Sequence, residues 1–298
     1  MGDTLAENRS ARARATLKVT GGACLISFSA VFVTMAHTDP TVSAFYRMVM
    51  GGAILLGLTL ARRERLFQGW RPLLGVAGAG FVLAVDLFMW HRCILFVGPG
   101  LATLLANFQV FFMAAAGALF LKERLSWKLV IAIPLAVAGL YLIVGLQWDG
   151  FSADYRMGVI LGLVAAVCYT VYILFLRMSQ ISSSTFATIT LATVFTGFFL
   201  GLLSVGNGES FAVPDLQTWL VLAGYAVVSQ VLGWLLITSG IGRLEASRVG
   251  LALLLQPTLA FVWDVLFFNR PTTLVEVIGA FLALLAIYLG VVGRIPGR

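Results

Sequence analysis

The sequence predicts an all-α integral membrane protein with ten transmembrane helices, arranged as two inverted five-helix repeats. Three observations predict this class. The chain is strongly apolar, with 60% hydrophobic and 11% charged residues and a mean hydropathy of +0.98, which is unlike a soluble domain. It divides into ten apolar runs of membrane-crossing length. Shifting the chain by 147 positions aligns Leu104–Val144 with Leu251–Val291, and 11 of the 41 pairs are identical, which indicates a weak internal repeat.

The charges and the cysteines argue against several other classes of protein. The net charge is +7, but the basic residues lie in short connections and at the termini, so no basic domain is available to bind nucleic acid. Cys24, Cys93 and Cys168 lie far apart within apolar runs, a spacing that predicts neither a metal site nor a redox pair. The chain has no Walker A motif for ATP. We therefore expect no cofactor and no metal.

Taken in order, the chain begins with a polar, basic stretch, residues 1–18, which we expect to be a solvated cytoplasmic tail. The first apolar run resembles a signal-peptide core, but nine similar runs follow, so we retain it as a span. The predicted spans are 19–36, 42–61, 72–96, 99–121, 127–146, 157–176, 184–205, 218–240, 247–268 and 273–293. The third run is longer and carries Asp86, His91 and Arg92. We expect its outer end to bend or to open into a water-filled space.

The positive charges segregate to alternate connections between these spans. Of the 20 lysines and arginines, 16 fall in the N-terminal tail, in every second connection and at the C-terminus. Only Arg156 and Arg270 lie in connections on the opposite side, and Arg47 and Arg92 lie within or at the edge of spans. By the positive-inside rule, both termini face the cytoplasm. A miscount by one span would destroy this segregation.

The repeat and the number of spans together determine how the two halves are oriented in the membrane. Because each repeat has five spans, an odd number, its second copy must enter the membrane from the opposite face. The predicted halves, residues 1–148 and 149–298, are then related by a pseudo-two-fold axis in the membrane plane. Inverted repeats of this kind hold a substrate near the midplane and expose it to the two sides alternately. The pattern therefore indicates a transporter.

Three short motifs carry a family resemblance. Ala44–Met48 reads AFYRM at the start of the second span, Lys122–Ser126 reads KERLS after the fourth, and Gln256-Pro257 lies inside the ninth. With the ten-span plan, these motifs resemble the EamA-type exporters of the drug/metabolite transporter superfamily. The resemblance implies export of small metabolites, amino acids and aromatic amino acids among them, across a bacterial inner membrane. The chain departs from the pattern at two places. Asn269–Pro271 replaces the charged motif that would correspond to KERLS in the second half, and Gln256 stands where many relatives carry a glutamate.

Candidate substrate-binding residues are the polar and aromatic side chains near the midplane, since a polar group that faces lipid goes unsatisfied. The polar or hydroxyl-bearing ones are Ser27, Asp86, Asn107, Gln109, Tyr169, Ser229, Gln230 and Gln256. On the fourth span, Asn107 shares a face with small residues and is expected to line the cavity, together with Gln256. Gln109 lies about 200° around the helix from Asn107, at ~100° per residue, and is expected to form an interhelical hydrogen bond.

Asp86 is the one acidic residue near a predicted midplane, and Trp90 follows it at i+4 on the same face. Asp86 can bind a substrate ammonium, take up a proton, pair with Arg47 or Arg92, or stay neutral by desolvation. Arg47 is expected to make a fixed contact at a helix end.

Deep aromatic rings, Trp90, Tyr169 and Trp263 among them, would form a wall for an apolar or aromatic substrate side chain. Packing between helices is the alternative for each ring. Pro257 is expected to bend the ninth helix by removing a hydrogen bond and to act in gating.

The sequence thus favours a secondary-active or facilitative transporter that exports small metabolites, most of all amino acids, around a midplane cavity. Other metabolites or drugs, such as nucleosides, sugars and organic cations, are alternatives. An intramembrane enzyme that uses Asp86 and His91 is a weaker one, because these residues lie about 140° apart on a helix and no catalytic motif accompanies them. We expect no catalytic residue, a small-molecule substrate, the lipid bilayer as the surroundings, and no obligate protein partner.

Overall fold

The structure is a computed structural model, and it describes residues 2–66, 69–120, 126–144, 148, 150–179, 185–241, 244, 249 and 252–292. The helices, in chain order, are α1 (Gly2–Ser27), α2 (Ser29–Met35), α3 (Pro40–Ala61), α4 (Trp70–Val97), α5 (Pro99–Asn107), α6 (Gln109–Phe120), α7 (Trp127–Val144), α8 (Ala153–Ser179), α9 (Thr185–Gly206), α10 (Leu216–Gly224), a π-helix (Tyr225–Gly233), α11 (Trp234–Ile241), α12 (Leu255–Phe268) and α13 (Leu274–Val292). The first four residues of the KERLS motif lie outside the described residues.

These helices form ten membrane-crossing segments. Span 1 is α1 with α2, spans 2 and 3 are α3 and α4, span 4 is α5 with α6, spans 5 to 7 are α7 to α9, span 8 runs from α10 through the π-helix to α11, and spans 9 and 10 are α12 and α13. Eight spans are long and apolar enough to cross a membrane, and spans 5 and 9 are shorter apolar helices. Large apolar side chains such as Leu119 and Leu274, both 75% exposed, cover the outside of the bundle. The predicted all-α membrane fold is confirmed.

The spans pack with the symmetry that an inverted repeat requires. Exchanging each span with the one five places along the chain maps the packed pairs onto one another. Spans 3 and 6 pack together, and so do their images, spans 8 and 1. The same holds for spans 3 with 7 and 8 with 2, and for spans 4 with 6 and 9 with 1. Spans 2, 4 and 5 pack against their own counterparts, spans 7, 9 and 10. Two inverted five-helix repeats therefore build the bundle.

Spans 5 and 10 meet through glycines that allow the two backbones to touch. A Cβ atom on Gly139 would lie 2.6 Å from the backbone nitrogen of Ala283, and one on Gly279 would lie 2.7 Å from the carbonyl oxygen of Gly139. Small residues of this kind permit close helix packing in membranes, where no hydrophobic force draws helices together. Pro134 lies inside α7.

The N-terminal stretch is helical. Helix α1 begins at Gly2 and continues through residues 2–18 into the first span. Alanine, arginine and glutamate in this stretch are strong helix formers, so the helix extends beyond the apolar run. Ala15 and Val19 are 3% and 0% exposed, which shows that packing of α1 begins before the predicted start of the span.

Span 3 is one continuous helix. Helix α4 continues unbroken from Trp70 to Val97 through Asp86, His91 and Arg92. Arg92 and His91 have hydrogen-bond partners in other parts of the protein, whereas the Asp86 carboxylate has none among the described residues, as set out below. The helix ends at Val97, and the next residue, Gly98, has a φ of +85°, a conformation that favours glycine. Pro99 then occupies the first turn of α5.

Within the described residues, four spans are interrupted. Turns at Phe28 and Phe108 interrupt spans 1 and 4, a turn at Leu254 separates α12 from the helical residues 252–253 that precede it in span 9, and the π-helix occupies the middle of span 8. Phe108 and Leu254 lie within one residue of equivalent repeat positions, given the offset of 147. Discontinuous helices at matching positions are typical of inverted-repeat transporters. Pro257 was predicted to lie within a helix, but α12 begins at Leu255. Pro257 is therefore in the first turn, where it removes no hydrogen bond of α12.

The connections 36–39, 98, 150–152, 207–215 and 269–273 gather at one end of the bundle, which we call the outer end after the predicted topology. Here Asp215 caps α10 by accepting a hydrogen bond from the Thr218 backbone N–H at 2.6 Å. That hydrogen bond lowers the pKa of Asp215. Glu276 and Thr273 form a capping box at the start of α13, with Thr273 N donating to Glu276 Oε2 at 2.7 Å.

Candidate functional site

A buried polar cluster lies in the middle of the bundle, and Arg47 of span 2 is at its centre. Arg47 is only 7% exposed. Its Nε donates to Gln230 Oε1 at 3.0 Å, and its Nη1 donates to the Tyr225 hydroxyl at 2.7 Å. The guanidinium also lies over the Tyr225 ring, 4.6 Å from the centroid. Both partners belong to the π-helix of span 8. Arg47 was expected at a helix-end contact, but it joins the two halves inside the bundle.

His91 and Thr193 extend this cluster to spans 3 and 7. His91 Nδ1 lies 2.8 Å from the Leu87 carbonyl oxygen, and its Nε2 lies 3.3 Å from the Tyr225 hydroxyl. Gln230 Nε2 donates to Thr193 Oγ1 at 3.2 Å. Both ring nitrogens of His91 thus have partners, and the side chain is fully buried. We refer to Arg47, Tyr225, His91, Gln230 and Thr193 as the central cluster.

Asp86 faces the central cluster without joining it. The residue is 6% exposed and interacts electrostatically with Arg47. Within the described residues, no hydrogen bond or ion pair reaches its carboxylate. Tyr169 of span 6 interacts electrostatically with both Asp86 and Arg47, and its ring centroid lies 5.4 Å from that of Tyr172. The predicted site residues Asp86 and Tyr169 therefore lie within electrostatic range of each other.

The two predicted tryptophans occupy different environments. Trp90 is 8% exposed and packs edge-on against His91, with ring centroids 5.2 Å apart. Its Nε1 is buried without a hydrogen-bond partner in the described part of the chain. Trp263 instead donates from Nε1 to Ser27 Oγ at 2.9 Å and stacks on Phe28 at 4.8 Å. Trp90 therefore belongs beside the central cluster, whereas Trp263 joins span 9 to the break in span 1.

The predicted amide residues are less closely associated with the cluster. Asn107 Nδ2 donates to the Thr103 carbonyl of its own helix at 2.8 Å. Gln109 was expected to form an interhelical hydrogen bond, but its Oε1 is buried without a partner among the described residues. Gln109 is the first residue of α6, directly after the turn at Phe108 that interrupts the helical periodicity on which this expectation depends. Gln256 is half-buried in the first turn of α12, next to Pro257.

A second polar cluster, the Asp264 cluster, closes the outer end between spans 4 and 9. The Gly100 backbone N–H donates to Asp264 Oδ2 at 3.0 Å. Arg270 Nη1 lies 3.4 Å from the same oxygen, and its Nη2 lies 3.6 Å from Glu276 Oε1. A Cβ atom on Gly98 would lie 2.8 Å from Asp264 Oδ2, so glycine is required there. The Gly98-Pro99-Gly100 sequence was the signal that could have indicated a close approach.

A third cluster, the Arg92 cluster, joins spans 2 and 3 to the connection after span 7. Arg92 Nη2 lies 2.6 Å from Glu209 Oε1, and the Thr41 hydroxyl donates to the same oxygen at 2.7 Å. Arg92 also covers the Phe88 ring at 3.5 Å. Both the Asp264 cluster and the Arg92 cluster therefore tie the first half of the chain to the second at the outer end.

Sequence reasoning missed Tyr225 and Asp264. Tyr225 is 178 residues from Arg47 in the chain, and no local pattern indicates that pairing. Asp264 was overlooked because it lies toward the end of its span rather than at the midplane. Within the described residues, no group of three His, Cys, Asp or Glu side chains is arranged to hold a metal ion.

Comparisons with known proteins agree with this architecture. The profile of the EamA-like transporter family matches residues 15–145 and again residues 156–292. The chain is 25% identical over 279 residues to a "Probable amino-acid metabolite efflux pump" of Salmonella typhimurium, covering 90% of this chain and 91% of that one. It is 26% identical to a protein of the same name from Escherichia coli, over 74% of this chain and 78% of that one. A crystal structure of a protein 20% identical to this chain superposes with a TM-score of 0.67, over 94% of this chain and 97% of that one.

Proposed function

Because the chain belongs to the EamA-like transporter family, we propose that it exports small metabolites, and in particular amino acids with apolar or aromatic side chains. Transport is secondary-active or facilitative and proceeds by alternating access around the central cluster. The membrane is the cell membrane, the inner membrane in a bacterium, with both termini in the cytoplasm. The relatives named as amino-acid metabolite efflux pumps support this substrate class.

The observation that carries the proposal is the origin of the central cluster. Its residues come from span 2 and span 3 of the first half and from span 7 and span 8 of the second. Asp86, Trp90 and Tyr169 add carboxylate, indole and phenol groups beside it. A rocking motion of one half against the other therefore changes the surroundings of this cluster directly, as alternating access requires.

The outer clusters define what must change when the site opens outward. The Gly100–Asp264 hydrogen bond and the Arg92–Glu209 ion pair both cross between halves. Each must break for the halves to separate at that end. Arg270 lies in the connection between spans 9 and 10, and Glu276 lies on span 10. Both residues belong to the second half, so this ion pair can persist in both states.

The proposal assigns no catalytic residue. An acid–base pair of Asp86 and His91 would need both groups directed at a shared substrate. Both ring nitrogens of His91 are engaged by Leu87 and Tyr225, which argues against that use. Export of a nucleoside, sugar, organic cation or drug is the second candidate function, and the transport experiment described next distinguishes it from amino-acid export.

The experiment is efflux from proteoliposomes that contain the purified protein, with a panel of labelled amino acids, nucleosides, sugars and organic cations at two lumenal pH values. We expect amino acids with large apolar side chains to be transported fastest. Truncating Trp90 to alanine should reduce apparent affinity about tenfold or more, because the indole lines the site. Trp127→Ala is the matched control, since Trp127 is 70% exposed at a span end. If the protein transports no amino acid in the panel, the proposal is wrong.

The predicted amide residues are tested in the same way. Asn107→Ala and Gln256→Ala should each weaken substrate affinity if the cavity extends from the central cluster to spans 4 and 9. Surface expression of each variant provides the normalisation. Wild-type affinity for Trp90→Ala, Asn107→Ala and Gln256→Ala together would place the substrate elsewhere in the bundle.

A further inference from the structure

Two buried, oppositely charged side chains lie near each other without forming an ion pair. Arg47 and Asp86 are 7% and 6% exposed and attract each other electrostatically, yet no nitrogen–oxygen distance between them falls within 4.0 Å. We infer that these two side chains bind the two charges of a zwitterionic α-amino acid, with Arg47 on the carboxylate and Asp86 on the ammonium group. This inference rests on the proposed function and specifies its substrate class.

The hydrogen bonds of Arg47 leave one nitrogen of its guanidinium group available to a ligand. Its Nε and Nη1 are engaged by Gln230 and Tyr225, whereas Nη2 makes no hydrogen bond within the described part of the chain. The two engaged donors keep the guanidinium in a fixed orientation. A guanidinium binds carboxylates through planar, charge-assisted hydrogen bonds, so the remaining group is suited to one carboxylate oxygen.

Asp86 is the complementary half of the site. Its carboxylate has no hydrogen-bond or ion-pair partner among the described residues, although burying an isolated carboxylate is costly. The side chains of Tyr169, Tyr172, Tyr225 and Cys168 interact with it electrostatically, and none of them hydrogen-bonds to it. A primary ammonium supplies three donors and would satisfy this carboxylate.

The neighbouring Trp90 provides independent support. Its Nε1 is a buried donor without a partner in the described residues, and it lies one helical turn from Asp86 on α4. Buried polar groups in native proteins almost always have partners. An unpartnered indole donor, an unpartnered carboxylate and a partly engaged guanidinium around one location therefore indicate a bound polar ligand. The Trp90, Tyr169 and Tyr172 rings would then contact its side chain.

Ligands with a single charge fit this pair poorly. An amine without a carboxylate leaves the Arg47 charge buried and uncompensated, and a carboxylic acid without an amine leaves Asp86 uncompensated. The experiment therefore compares phenylalanine with phenylethylamine, its decarboxylated analogue, and with 3-phenylpropionate, its deaminated analogue. Competition of each with efflux of labelled phenylalanine from proteoliposomes gives the three apparent affinities.

In the wild type, we expect phenylalanine to compete at least ~10-fold more strongly than either analogue, the range expected for a buried charged hydrogen bond. Arg47→Gln should remove the preference for phenylalanine over the amine and retain the preference over the acid. Asp86→Asn should have the opposite effect. A purely structural role for either residue would weaken all three compounds equally, which would overturn the inference.

Other outcomes are also decisive. If Arg47→Gln does not fold, the wild-type comparison and Asp86→Asn still carry the test, because equal competition by phenylalanine and the amine overturns the inference. If Asp86→Asn keeps its preference over the acid but loses the effect of lumenal pH, Asp86 is a proton-binding residue and the inference fails. Absence of transport of every amino acid rejects the proposed function, whereas transport without charge discrimination rejects only this inference.

Discussion

Replacing Asp264 with alanine should release the outer end of the bundle. Asp264 accepts the Gly100 backbone N–H at 3.0 Å and lies 3.4 Å from Arg270 Nη1. The Asp264 and Arg270 side chains are 3% and 11% exposed, so solvent screens their interaction little. The substitution leaves a buried guanidinium without its nearer carboxylate and a buried N–H without its acceptor, and it removes one of the contacts that join the halves.

The size of the effect follows from that burial. The Asp264–Arg270 pair lies within the second half, so its loss affects the closed and open states alike, and the Gly100–Asp264 hydrogen bond is the part that favours the closed state. A hydrogen bond to a charged group contributes about 1.5–3 kcal/mol, so losing it raises the open population by roughly 10- to 150-fold. Glu276→Gln is the matched control. It removes the more distant carboxylate, 3.6 Å from Arg270, while a glutamine at this position keeps the capping box. We expect a change of less than about 1 kcal/mol for the control.

Labelling of a single cysteine measures the opening. Ala102 is 0% exposed and lies two residues after Gly100 on α5. With the native cysteines replaced, Ala102→Cys should react with a membrane-impermeant maleimide in proportion to the open population. A second reporter, Ala136→Cys, is 1% exposed at the interface of spans 5 and 10 and should stay protected. Equal labelling of the Asp264→Ala and Glu276→Gln proteins, or labelling of both reporter positions alike, would refute the reasoning.

Three further predictions concern topology, packing and gating. A reporter fused at residue 67 should report the cytoplasm and one at residue 152 the outside; finding both on the same side would exclude ten spans. Gly139→Ala should lower stability by about 1–3 kcal/mol through overpacking, because its Cβ would lie 2.6 Å from a neighbouring backbone atom. Gly57→Ala is the control and should be neutral or stabilising, because a Cβ there meets nothing within 4 Å. Thermal unfolding in detergent measures both variants, and equal shifts in melting temperature would contradict the glycine contact. Pro257→Ala supplies an N–H that can join α12 to the helical residues before Leu254, so it should slow transport more than it weakens binding; an unchanged efflux rate would remove Pro257 from gating.

The number and order of the spans could be predicted because the bilayer imposes one simple requirement on every span. Apolar length and the segregation of lysine and arginine report that requirement residue by residue. The interruptions at Phe108 and in Tyr225–Gly233 could not be predicted in the same way. A run of apolar residues has the same hydropathy whether its backbone bonds are α-helical or π-helical, so packing between spans decides the local geometry.

The proximity of two site residues was predictable only where both lie on the same helix. Asp86 and Trp90 follow from helical periodicity, and both lie beside the central cluster. Arg47 was visible as a charge in span 2, but its partners Tyr225 and Gln230 lie 178 and 183 residues away. Which distant spans meet is determined by small residues and by the symmetry of the bundle, and neither property specifies a partner side chain from a single sequence.

The symmetric packing also determines when the protein can finish folding. The most extensive helix pairs, spans 3 with 6, 5 with 10, 2 with 7 and 1 with 8, each join one half of the chain to the other. The first five spans therefore enter the bilayer before the surfaces they pack against have been made. At ribosomal rates of about 5–20 residues per second, the second half takes on the order of ten to thirty seconds to emerge. During that interval the face of span 5 that carries Gly139 and the face of span 2 that carries Arg47 must be shielded by lipid or by the insertion machinery.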